Sequence, residues 1–171
     1  MDPYLEACSR LEQAGIRYMI VGVFGINFYA QQMGHIITTA DCDILIPAEI
    51  FFFQKALDAL TSLGFVLEAG GEPLLDLDQA LAEHILRARA VVVAERVDAR
   101  IDLCTQIAGT DFRKLWRRHR QFLVEGIEIR VGPVRGLVES KRSADRPKDR
   151  LFFEQHKEII EKVLRTRKPR R

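Results

Sequence analysis

Three aspartates carry the chemical content of this sequence. Asp41 and Asp43 stand one residue apart inside the apolar run "TTADCDILIP", Thr38–Pro47, and Asp102 lies in the similar setting "RIDLC". Side chains two apart on a strand point the same way, so the D-x-D spacing predicts two carboxylates on one face, with Cα atoms roughly 6 to 7 Å apart. Each loses hydration there and the two repel, which calls for a cation between them. If the strand bearing Asp102 is a neighbour, three carboxylates converge. Three oxygen donors without histidine or thiolate suit Mg²⁺, with Mn²⁺ as the alternative ion, better than zinc. Two such ions about 4 Å apart can activate an attacking hydroxyl and hold a departing pyrophosphate. The reaction class this pattern would suit is nucleotidyl transfer. The plainer reading is that a D-x-D merely caps a following helix or is solvated at a strand end, and Asp102 weighs against it.

The residues around the acids carry two readings each. Thr38 and Thr39 lead into the D-x-D, either as ordinary β-branched residues or as hydrogen-bond donors to a carboxylate or ligand. His35 is a loop histidine, solvated or approaching substrate. Arg100 shares a face with Asp102 and is placed to neutralise the cluster. Asp149 in "RPKDR" is expected to cap the last helix or pair with an arginine. Phe51, Phe52 and Phe53 cover most of a helix circumference, so one is expected to face outward. Trp116 in "KLWRRHR" either packs inward or stacks a base between basic neighbours.

The elements that must position these residues follow from periodicity and punctuation. Asp2 caps a first helix with Pro3 in its first turn, and Leu5, Cys8, Leu11 and Ile16 trace its apolar face up to Gly15. "YMIVG" reads as a buried strand, a helix runs from about Val23 to Met33, and "CDILI" is the next strand. Pro47 is expected to open a helix with Ile50, Phe53, Leu57 and Leu60 inward and Gly64 as its stop. "GFVLEAGGEP" reads as strand and loop, "DLDQALAEHIL" as a helix, and "RAVVVAERVDARIDLCT" as two strands turning near Val97 and Asp98. A helix through "DFRKLWRRH", a hairpin turning at Glu125 and Gly126, a helix around "LVESKRSA" and a long helix from Pro147 to about Leu164 complete the chain. This predicts a mixed α/β (α+β) fold with a partly antiparallel sheet flanked by helices, in a single domain over residues 1–164. A basic tail, 165–171, is expected to be disordered.

Composition narrows the setting. Of 171 residues, 47% are hydrophobic and 29% charged, enough for one closed core. The formal net charge is +2, but Arg165–Arg171 hold five positive charges and no acid, so residues 1–164 carry −3. The tail either contacts RNA phosphates or keeps the protein dispersed. Cys8, Cys42 and Cys104 are too few and too scattered for a disulfide framework or structural zinc. With no bilayer-length apolar run and no basic leader, the expectation is a cytoplasmic protein without a membrane partner. No Walker-type or G-x-G-x-x-G loop is present.

The order strand, "VG" turn, helix, "TTADCDILI", then "RIDLCT" resembles the polymerase-beta-like nucleotidyltransferase superfamily. "LVESKRSADRPKDRLFFEQ" resembles the K-x-x-x-x-R-x-K-D segment of its small bacterial members, related to abortive-infection and toxin-antitoxin transferases. The resemblance implies a nucleotidyltransferase-like fold. It implies metal binding and catalysis by Asp41, Asp43 and Asp102, a phosphate turn at Gly22 and Val23, and phosphate or site support from Lys141, Arg146 and Lys148. Thr39 joins this nucleotide-binding set. Val23 stands where the family has glycine or serine. Two functions are compatible with it: an Mg²⁺-dependent enzyme moving an NMP onto a hydroxyl of RNA, protein or a small molecule, or a weakened relative that binds nucleotide or a cognate partner protein, as in a toxin-antitoxin pair.

Overall fold

The structure is a computed structural model and describes residues 1–165. Asp2 opens α1 (Pro3–Gln13) by accepting from the Tyr4 and Leu5 N–H groups, and Leu5, Cys8 and Leu11 are buried on its inner face. β1 (Met19–Ile20) is short and passes at once into α2 (Gly22–Gln31), so strand and helix meet at Gly22. β2 (Cys42–Leu45) follows after a loop that Asn27 anchors, its Oδ1 accepting from the Ile37 N–H at 2.8 Å.

α3 spans Ile50–Thr61 and starts three residues later than Pro47 suggested. The Ile46 N–H still donates to the Cys104 carbonyl at 3.0 Å, so the chain remains extended into Pro47 and needs Ala48 and Glu49 to turn. Phe53 is buried on α3, whereas Phe51 is 60% exposed with the Lys55 ammonium over its ring. β3 (Val66–Ala69) and β4 (Glu72–Pro73) form a small hairpin, followed by α4 (Gln79–Ala88), capped by Asp78. β5 (Val92–Arg96) and β6 (Ala99–Cys104) pair as expected, and a second small hairpin, β7 (Gln106–Ile107) with β8 (Thr110–Asp111), was not foreseen. In α5 (Phe112–Trp116) the half-buried Trp116 ring stacks on Phe112 and on His119, with the Arg17 and Arg130 guanidinium groups also near it.

β9 (Arg120–Val124) and β10 (Ile127–Val131) turn through Glu125 and Gly126, both at positive φ. α6 (Val134–Ala144) follows, and the long terminal helix expected from Pro147 is two helices, α7 (Pro147–Gln155) and α8 (Lys157–Arg165). The break falls at His156, which leaves helical geometry and lays its ring against Phe152. No proline or glycine marks it in the sequence. Arg165 closes α8, and the rest of the expected basic tail lies outside the described residues.

Eight strands form one mixed sheet in the order β4-β3-β5-β6-β2-β1-β10-β9. β2 and β6 are its parallel centre and β5, β3 and β4 extend it antiparallel. α1, α3 and α4 pack as one group, and α2, α6, α7 and α8 as another. At β2 the two groups meet opposite faces: buried Cys42 lies beside Cys8 of α1, and Asp43 lies under Gly22 of α2. Among the described residues no helix is long and apolar enough to cross a membrane.

Candidate active site

The parallel pairing of β2 with β6 puts Asp43 in register with Asp102, flanked by the buried pairs Cys42–Ile101 and Ile44–Leu103 on the other face. Adjacent strands lie about 5 Å apart, so these two carboxylates are close neighbours although 59 residues separate them. Asp41 sits one residue ahead of β2, outside the ladder and just after a bend at Ala40, which corrects the expectation of both acids within the strand. Its Oδ1 accepts from the Thr39 hydroxyl at 2.8 Å, so Thr39 serves the carboxylate.

Electrostatics records the crowding. Burial, then the charges of Asp41 and Asp102, push the Asp43 carboxyl up to about 6, and the positive charges of Lys141 and Lys148 pull it part of the way back. Asp102 is also raised, first by burial, with Arg100 acting against that rise. The Arg100 guanidinium donates to Asp102 Oδ1 at 3.2 Å and to Glu95 Oε1 at 2.7 Å. The Arg100–Asp102 pairing was legible from their spacing, while the part of Glu95, across a strand, was not.

The three side chains do not close into a ready-made metal cage, and among the described residues no group of three or more His, Cys, Asp or Glu is so arranged. Asp41 is turned to Thr39 and Asp102 to Arg100. The donor set still fits a hard divalent cation: oxygen ligands only, with mutual repulsion that a cation relieves. Replacing Arg100 with alanine removes a competing positive charge, so Mn²⁺ should bind on the order of fivefold tighter or more, as followed by the electron-spin signal of the free ion.

Gly22 is dictated by geometry. Its φ is +62°, and a β-carbon there would stand 1.9 Å from Asp43 Oδ2. Gly22→Ala should therefore lose both stability and the placement of Asp43. Gly15→Ala, at φ +72° in open space, should cost only the backbone strain, about 1 to 2 kcal/mol. Comparing the two by chemical denaturation isolates the clash. Gly22 and Val23 begin α2, whose first N–H groups receive no side-chain cap. The Val23 side chain packs against the core, leaving the backbone N–H as its contribution to the turn.

The basic segment divides by role. Asp149, 1% exposed, accepts from the Lys141 Nζ at 2.5 Å and the Arg146 Nε at 2.7 Å, and its carboxylate closes a capping box at the start of α7. Burial alone would raise this carboxyl, but the hydrogen bonds of Arg146 and Lys141 bring it down to about 2. Lys141 and Arg146 are thus pinned by Asp149. Lys148 is exposed, makes no ion pair among the described residues, and its field reaches both Asp43 and Asp102. Tyr4, which nothing in the sequence singled out, brings its hydroxyl within 3.5 Å of the Ala40 carbonyl and of the Arg100 N–H.

A short strand, a glycine turn into an uncapped helix, and in-register aspartates on the two central strands define a nucleotidyltransferase-like fold. Comparison with solved structures agrees: the chain matches the crystal structure of ANT(2″)-Ia in complex with adenylyl-2″-tobramycin at 13% identity, over 92% of this chain and 90% of that one, with a TM-score of 0.52. The solution structure of the antibiotic-resistance factor ANT(2″)-Ia matches at 14% identity, over 95% of this chain and 90% of that one, with a TM-score of 0.49. Neither a protein-family model nor a curated protein sequence matches.

Proposed function

We propose that this protein is an Mg²⁺-dependent nucleotidyltransferase that moves an NMP from an NTP to an acceptor hydroxyl. The observation that carries the reading is the register of Asp43 with Asp102 on adjacent central strands, with Asp41 beside them and Gly22 closed over Asp43. The structural likeness to ANT(2″)-Ia, solved in complex with adenylyl-2″-tobramycin, supports this reading. Asp41, Asp43 and Asp102 would hold the divalent cation, which when bound supplies charge neutralisation against the triphosphate and polarises the phosphoryl oxygens.

The chain's own groups do the rest. The free N–H groups at Gly22 and Val23 donate to phosphate oxygens, helped by the positive end of α2. Lys148 adds an exposed cation whose charge reaches Asp43 and Asp102, and Lys141 with Arg146 hold α6 and the start of α7 in place through Asp149. Asp102 takes the proton of the acceptor hydroxyl as that oxygen bonds to the α-phosphorus and the bond to pyrophosphate breaks, a role suited to a carboxyl raised above its ordinary range. Incubation with α-labelled NTPs and Mg²⁺ against RNA, protein and small-molecule alcohols should show label transfer that Asp41→Ala abolishes. Transfer indifferent to that change rejects the assignment.

A further inference from the structure

A cavity of about 390 Å³ lies where the two parallel strands end. β2 and β6 finish side by side at Leu45 and Cys104, and the chain beyond them lines the cavity with Ala48 and with Thr105. The crevice outside the carboxyl ends of parallel strands is where open α/β sheets take ligands. The β7–β8 hairpin contributes Gly109 and Thr110 to the wall, and Arg89 and Lys114 bring positive charge to it. Thr105 is three residues past Asp102, roughly 10 Å along the chain, so the cavity is separate from the turn at Gly22, which sits over Asp43.

Two features of this wall call for an occupant. Thr105 is only 6% exposed, yet its hydroxyl has no hydrogen-bond partner among the described residues. A buried hydroxyl left in that state is unfavourable, and a ligand oxygen accepting from it removes the penalty. Arg89 is the second feature. It ends α4 at φ +54°, in the left-handed region where glycine is usual, and its guanidinium donates to Gln106 Oε1 at 2.7 Å. Arg96, Arg100, Arg130, Arg146 and Arg150 all meet carboxylates, whereas Arg89 meets an amide, which fixes its direction and leaves its charge unanswered. Asp111, the acid in the wall, is engaged elsewhere: its Oδ1 accepts from the Lys114 N–H at 3.0 Å and its Oδ2 lies 3.8 Å from the Lys114 Nζ.

Two cations with hydroxyl donors at Thr105 and Thr110 suit an anion whose oxygens point in several directions, which is phosphate more than a planar carboxylate. The Nε and Nη2 edge of Arg89 stays open to two of those oxygens. A free phosphate would fill little of a volume that falls in the range of small-molecule sites. We propose that this cavity binds a small phosphomonoester, its phosphate between Arg89 and Lys114 with the Thr105 hydroxyl donating to it, and its organic part against Ala48 and Ile107. The site uses none of the residues assigned to nucleotidyl transfer and is independent of that reading.

The test is an amide-shift titration of the ¹⁵N-labelled protein with ribose 5-phosphate, inorganic phosphate and uncharged ribose. Ribose 5-phosphate should move the amides of Thr105, Gln106, Gly109 and Thr110, inorganic phosphate should move the same amides with weaker affinity, and ribose should leave them in place. Arg89→Gln should weaken ribose 5-phosphate about tenfold, and Thr105→Val about three- to fivefold. Because the Thr105 hydroxyl has no partner to lose, Thr105→Val should unfold in urea at the wild-type midpoint or above it. Equal shifts from ribose, inorganic phosphate binding as tightly as the ester, or shifts confined to Gly22 and Val23 overturns the proposal. So does an affinity untouched by Arg89→Gln, or a Thr105→Val variant that loses stability and keeps its affinity.

Discussion

Asp43→Asn is expected to melt above the wild type at pH 8 and to transfer no nucleotide. The folded protein holds the Asp43 carboxyl at about 6, against 3.8 for an ordinary aspartate, so the native state binds this proton more tightly than the unfolded chain does. That favours folding fully below pH 4, and the advantage is lost as pH rises through 6. Above pH 6 the native state carries a buried, repelled charge costing about 3 kcal/mol. An asparagine keeps the shape under Gly22 and removes the charge. The expected gain is up to roughly 6 to 10 °C at pH 8, shrinking to nothing near pH 4, read from paired melting curves across pH. A variant gaining stability while losing function is the signature of a carboxylate retained for chemistry. A variant that melts lower at every pH would instead make Asp43 a structural anchor.

Asp149→Ala should do the opposite. Asp149 is buried against Lys141 and Arg146, and its removal strands the mostly buried Lys141 ammonium. Breaking one partner out of such a group costs about 3 to 5 kcal/mol, which urea unfolding at pH 7 would register as a lower midpoint. The pH sign is also reversed. A carboxyl held down at about 2 contributes stability that is complete above pH 4 and lost as pH falls through 2, so the acid limb of the wild-type curve should flatten in this variant. Lys141→Met with Asp149→Asn, apolar and neutral together, should recover part of the loss, because neither partner is then left charged and alone.

What the sequence revealed and what it hid separate along physical lines. Asp2 with Pro3, the alternation through "CDILI" and "RIDLC", and the Glu125–Gly126 turn are local signals, and each element appears where its signal lay. The adjacency of Asp43 and Asp102 was conditional on which strands paired, a non-local choice that only the fold makes. Gly22 was legible as a turn glycine, but the reason it tolerates no side chain is Asp43, twenty-one residues on. Lys141, Arg146 and Lys148 looked alike in the sequence; burial of Asp149 divides them, and burial is a tertiary property. The break at His156 and the displaced start of α3 left no mark because neither rests on proline or glycine.

The central claim is that the three aspartates and the start of α2 together seat a divalent cation and a triphosphate. Calorimetric titration of α,β-methylene-ATP into the wild type and Asp43→Asn, each with and without Mn²⁺, tests it most directly. The expected result is binding by the wild type only when Mn²⁺ is present, and none by Asp43→Asn under either condition. Binding that is equal without the metal, or undiminished in Asp43→Asn, contradicts the account.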